Sequence, residues 1–82
     1  MLRSARRDLD ALPREIQHAI RRAVRHRLAV NPRGAGALAM RDEWVGYWRI
    51  RVGVYRVLYV IDHPDQVIVT DIGPPSIYGR RR

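Results

Sequence analysis

Leu12, Ile16, Ile20, Val24 and Leu28 recur at every fourth position, with Ala19 and Ala23 between them. That spacing lays one apolar stripe along a helix starting near Pro13, a residue suited to the first helical turn. Arg14, Arg21, Arg22 and Arg25 fall on the opposite face. Upstream, Ser4 and Asp8 suit a shorter helix, with Ser4 as its N-cap and Leu9 and Leu12 turned inward. The two pieces meet at Leu12-Pro13 and predict a helical hairpin over residues 1–30. Asn31-Pro32, followed by Gly34 and Gly36, ends it, because proline and two nearby glycines cannot continue a helix.

From about Glu43 onward the residues change to tryptophan, tyrosine, valine and isoleucine, the usual content of strands. Three strands are predicted, Tyr47 to Val52, Val54 to Ile61 and Gln66 to Ile72, joined tightly at Gly53 and at His63-Pro64-Asp65. Such short connections make an antiparallel meander. Val57-Leu58-Tyr59-Val60-Ile61 is apolar at every position, which marks a central strand covered on both faces. The expected fold is α+β, an N-terminal helical hairpin packed on a three- to four-stranded antiparallel sheet. One domain spans 1–82, with strands over 43–72 and a basic tail over 73–82.

Composition narrows the function. A chain of 82 residues holds one modest core. Without cysteine it has no disulfide framework, thiolate metal site or thiol nucleophile. The first ten residues are too charged for the roughly 7 to 15 apolar positions of a signal sequence, and no apolar run of about 18 occurs. A cytoplasmic, non-membrane protein is expected. Net charge is +8, and all 16 basic residues are arginine. Coding composition also favours arginine over lysine, but arginine's planar fork binds phosphate in bidentate fashion and stacks on bases. The implied partner is polyanionic, either nucleic acid or an acidic protein.

The chemistry concentrates in Trp48-Arg-Ile-Arg-Val-Gly-Val-Tyr-Arg-Val-Leu-Tyr59. On a strand, residues two apart share a face, so Arg49 and Arg51 project together while Trp48, Ile50 and Val52 turn inward. A hairpin at Gly53 brings Arg56 near them. Alternating arginine also suits a merely solvated sheet face, but Arg56 interrupts an otherwise apolar strand, where an unpaired charge is costly. Three such charges repel one another unless an anion lies between them, and a phosphodiester fits. Tyr47, Tyr55, Tyr59 and Tyr78 supply rings for stacking on bases. Arg33, Arg41, Arg80, Arg81 and Arg82 extend the basic surface. Asp62, Asp65 and Asp71 lack a clustered spacing with histidine, so neither a metal nor another cofactor is expected.

These motifs resemble the RelE branch of the RelE/ParE superfamily of type II toxin–antitoxin toxins. The resemblance runs through Leu12-Pro13, Asn31-Pro32, Trp48-Arg-Ile-Arg51, Gly53-Val-Tyr-Arg-Val-Leu-Tyr59 and Ile72-Gly73 through Tyr78. It implies a ribosome-dependent endoribonuclease that cuts mRNA and is held inactive by a cognate acidic antitoxin in a hetero-oligomer. By position, Arg49 and Arg51 match the pair that grips the substrate backbone, Arg56 the arginine near the scissile phosphate, and Tyr78 the tyrosine that orients the base. Three positions depart from the pattern. Only Met1-Leu2 precede the first helix, so either the family's opening edge strand is missing or the start is truncated. Pro74-Pro75 stand where basic residues are common, and Val54 replaces a frequent aspartate. His18, His26 and His63 read as solvated or structural, which leaves Tyr78 as the main proton-transfer candidate. A ParE-type gyrase inhibitor and a non-catalytic basic binding module are the alternatives.

Overall fold

The computed structural model describes residues 1–34, 36–64 and 66–80. Arg81 and Arg82, two of the expected basic contacts, and Asp65 of the expected turn lie outside them. The hairpin consists of α1 (Arg3–Asp10) and α2 (Arg14–Ala23), and α2 runs directly into a π-helical turn over Val24–Leu28. The Gln17 amide donates to the carbonyls of Asp10 (3.3 Å) and Leu12 (2.9 Å), tying the connection to the second helix. Residues four apart advance about 40° around a helix of 3.6 residues per turn, so a stripe built on that spacing drifts off the core. The wider turn, closed by Ala29 N–H on the Val24 carbonyl at 3.0 Å, rotates it back. Leu28 is therefore buried, at 1% exposure.

Ser4 is not the N-cap. Helix α1 begins at Arg3, the capping position is Leu2, and Ser4 sits exposed inside the first turn. The reason is tertiary. Leu2 is extended (φ −63°, ψ 155°) and its N–H donates to the Val69 carbonyl at 2.9 Å, so a tie to the sheet fixes where the helix starts. Met1 and Leu2 form no strand, but Leu2 engages the sheet.

The sheet is antiparallel throughout, in the order β1 (Leu38–Ala39), β2 (Tyr47–Val52), β3 (Tyr55–Asp62), β4 (Gln66–Gly73). The two-residue β1, paired with Arg49 and Trp48 of β2, is too short to show alternation in the sequence. Strand β3 is central, as its apolar run predicted. Gly53, at φ +61°, makes the two-residue connection with Val54. A bulge opposite Leu58 and Tyr59 leaves Thr70 of β4 outside the pairing with β3.

Alternation on β3 divides the core into two layers. Val57 and Tyr59 join Ile50, Val69 and Ile72 beneath Ala5, Leu9, Ile20, Ala23 and Leu28 of the helical layer. On the other face, Leu58 is covered by Trp44, from a 3-10 turn over Asp42–Trp44, and by Ile77. Ile77 belongs to a 3-10 helix over Pro75–Arg80, so the expected basic tail is instead a helix through residue 80 whose Ile77 enters the core. Gly73 permits this seat, since a Cβ there would lie 2.5 Å from Ile77 Cγ2.

Two of the proposed stacking rings belong to the helical layer instead. Tyr59 is fully buried and its hydroxyl donates to the Pro32 carbonyl at 2.5 Å. Tyr55 is half-buried against the same core. Both share the face of Val57, opposite that of Arg56, as the period of two requires.

Tyr59→Phe should lower stability by about 1 kcal/mol in urea unfolding, because it leaves the Pro32 carbonyl without its donor. Burial holds the Tyr59 phenol above its ordinary value of 10.0, against an opposing effect of Arg27. Above that pH the unfolded chain binds fewer protons than the folded one, so stability present below it is lost as pH rises. The wild type should therefore lose more stability than Tyr59→Phe between about pH 9 and 11.

Candidate nucleic-acid interface

The sheet face opposite the helices is only partly covered. Pairing between β2 and β3 sets Arg51 directly opposite Arg56, and Arg49 opposite Leu58. The three predicted arginines thus stand on one face of two adjacent strands. Arg51 is exposed, and Arg49 and Arg56 are half-buried. Arg56 Nη1 donates to the Val54 carbonyl at 2.6 Å, which draws the guanidinium back over the turn. Its Nε is buried and has no hydrogen-bond partner. Among the described residues no carboxylate pairs with Arg49, Arg51 or Arg56. Like charges facing each other across a ladder repel, so an anion placed between them offsets that repulsion.

Two aromatic candidates lie on this side. Tyr47 makes an edge-on contact with Trp44, with centroids 4.9 Å apart and planes at 86°. Tyr78 is half-buried against the Leu58, Trp44 and Ile77 cluster, and its carbonyl accepts the Trp44 indole N–H at 2.9 Å. Its position is thus fixed by contacts of its neighbours and backbone.

The remaining basic candidates divide. Arg33 and Arg41 are exposed in the segment between the helices and β2. Arg80, expected among the RNA contacts, is engaged by carboxylates. Its Nη1 lies 2.7 Å from Asp8 Oδ2 and 3.3 Å from Asp71 Oδ2, and Nη2 lies 3.2 Å from Asp8 Oδ1. The Asp8 hydrogen bond, foremost, raises the guanidinium's affinity for its proton. His18, His26 and His63 are exposed on the helices and a turn. No cluster of histidine and carboxylates suited to a metal occurs among the described residues, nor is any helix there long and apolar enough to cross a membrane.

Nothing local in the sequence marks Trp44 as cover for Leu58, or Asp8 and Asp71 as partners of Arg80. Trp44 stands in a segment without regular alternation, and Asp8 and Asp71 meet across 63 positions of sequence through Arg80. A carboxylate on a short basic helix carries no local sign of a distant partner.

A helical hairpin over one face of a four-stranded antiparallel sheet is the architecture of the RelE/ParE superfamily toxins. The toxin–antitoxin complex RelBE2 from Mycobacterium tuberculosis is similar in structure, with a TM-score of 0.80 and 31% identity over 89% of this chain and 90% of that chain. Residues 1–76 match the model of the ParE toxin of type II toxin–antitoxin systems, and the chain belongs to that family. A comparison with curated proteins finds no match.

The opposed pair carries a stability cost that can be measured in the free protein. Arg51→Gln should raise stability in urea by about 0.2 to 1 kcal/mol, since it removes a like-charge contact at an exposed position. A loss of stability would show that Arg51 has a compensating partner.

Proposed function

We propose that this toxin is a metal-independent endoribonuclease acting on mRNA held by the ribosome, with Arg49, Arg51 and Arg56 as its phosphate clamp and Tyr78 beside it. The observation that carries the reading is the directly opposed Arg51 and Arg56, neither paired with a carboxylate. Charge left uncompensated in this way suits a transient polyanion better than a structural role.

In the reaction, the ribose 2′-oxygen attacks the adjacent phosphorus and the bond to the 5′-oxygen breaks. The products are a 2′,3′-cyclic phosphate and a 5′-hydroxyl. One proton leaves the 2′-hydroxyl and one arrives at the 5′-oxygen. The clamp stabilises the negative charge that gathers on the phosphorane, a task suited to fixed guanidinium donors. Arginine does not act as the base. Tyr78 is the titratable side chain of the proposed set, while Pro74-Pro75 contribute none. With so few proton-transfer groups, alignment of the RNA supplies much of the rate, which calls for the ribosome as a positioning surface. An acidic antitoxin that folds over the arginine face would block the same clamp. This activity places the protein in the cytoplasm.

A second reading, inhibition of gyrase, is favoured by Pro74-Pro75 and by the engaged Arg80. Induction in cells separates the two. Primer extension should show cuts within translated mRNA, and Arg56→Ala should abolish both the cuts and the growth arrest with its far-UV spectrum intact. DNA damage without mRNA cuts would establish the second reading, and undiminished toxicity of Arg56→Ala would remove the clamp assignment.

A further inference from the structure

We propose that Arg80 is a positioning residue for Tyr78 rather than a contact for RNA: held by Asp8 and Asp71, it locks the Pro75–Arg80 helix against α1 and β4. Its consequence for catalysis rests on the endoribonuclease reading, whereas the latch itself rests on geometry alone.

A six-residue 3-10 helix does not hold its own shape, so its place is set by anchors. Three are present. Ile77, 2% exposed, fits the space left by Gly73 and covers Leu58. The Trp44 indole holds the Tyr78 carbonyl at 2.9 Å. Arg80 fixes the far end through both of its terminal nitrogens on Asp8 and a further contact to Asp71. Asp8 also accepts the Ile72 N–H at 3.2 Å, so one carboxylate joins α1, β4 and the closing helix. The Asp8 and Asp71 side chains are only 19% and 18% exposed, where such bonds are stronger than on an open surface. Tyr78 lies between the Ile77 and Arg80 anchors.

The same arrangement argues against a phosphate at Arg80. Two carboxylates on one guanidinium leave a formal local charge of −1, which repels an anion rather than attracting it. Arg51 and Arg56 present the opposite situation.

Asp8→Asn decides between the two roles, because they predict opposite signs. The test uses Asp8→Asn and Arg80→Gln in the full chain, with Trp48→Phe added for fluorescence so that Trp44 alone reports on the Tyr78 segment. If Arg80 is a latch, both variants remain folded by far-UV circular dichroism and both shift Trp44 emission to the red. Both then lower kcat on ribosome-bound mRNA by roughly tenfold to a hundredfold, the scale expected of a misplaced group, with KM little changed. Tighter RNA binding by Asp8→Asn and weaker binding by Arg80→Gln would make Arg80 an RNA contact and overturn the proposal. Unchanged Trp44 emission would overturn it as well, as would loss of the fold, which would make the network a determinant of folding. A wild type that leaves mRNA uncut would remove the endoribonuclease reading alone, and Trp44 emission would still decide the latch.

Discussion

Strand β3 is flanked by β2 and β4 and covered on both faces, and this double burial governs where charge can stand. Val57 and Tyr59 point to the helices, while Arg56 and Leu58 point the other way. On that second face the cover is small, consisting chiefly of Trp44 and Ile77 over Leu58. Two residue pairs closer to the Gly53 turn, Arg51 and Arg56 face each other without such apolar cover. The candidate site is the part of the sheet that the second layer leaves open. A larger closing segment would have buried it, and a smaller one would have exposed Leu58 to water.

Arginine occupies two contrasting environments in this molecule. Arg80 is satisfied by two carboxylates and closes the fold by joining α1, β4 and the last helix. Arg51 and Arg56 face one another, and Arg56 Nε is buried without an acceptor. Surface ion pairs contribute little when both partners are fully solvated, but the shielded carboxylates around Arg80 place it outside that case. Among the described residues the opposed pair has no carboxylate partner. Compensated charge thus sits where elements join, and uncompensated charge on the open part of the sheet, the kind of local conflict that proteins tend to concentrate at functional sites.

Much of this was legible because it depends on period. The spacing of Leu12 through Leu28 gave the second helix, the apolar run from Val57 gave the central strand, and the alternation at Arg49 and Arg51 with a turn at Gly53 brought Arg56 to the same face. The same rule applied to Tyr55 and Tyr59 would have sent both rings to the core, opposite Arg56. What escaped depends on contacts distant in sequence. Leu2 sets the start of α1 by bonding to Val69, β1 exists only through pairing with Arg49 and Trp48, and the closing helix is held by Gly73, Trp44 and Asp8. The π turn belongs to the same class, since its value lies in keeping Leu28 on the core. None of these leaves a local signature.

The central claim is that RNA is gripped by a local clamp and not by diffuse positive charge, and the salt dependence of binding tests it most directly. Affinity for a short single-stranded RNA would be measured over a range of salt for the wild type and for single glutamine variants. Losing one phosphate contact should lower the slope of log K against log salt by about 0.7. The account predicts that change for Arg49→Gln, Arg51→Gln and Arg56→Gln, and little change for Arg14→Gln or Arg22→Gln on the exposed helical face. Equal changes at both sets of positions would contradict it.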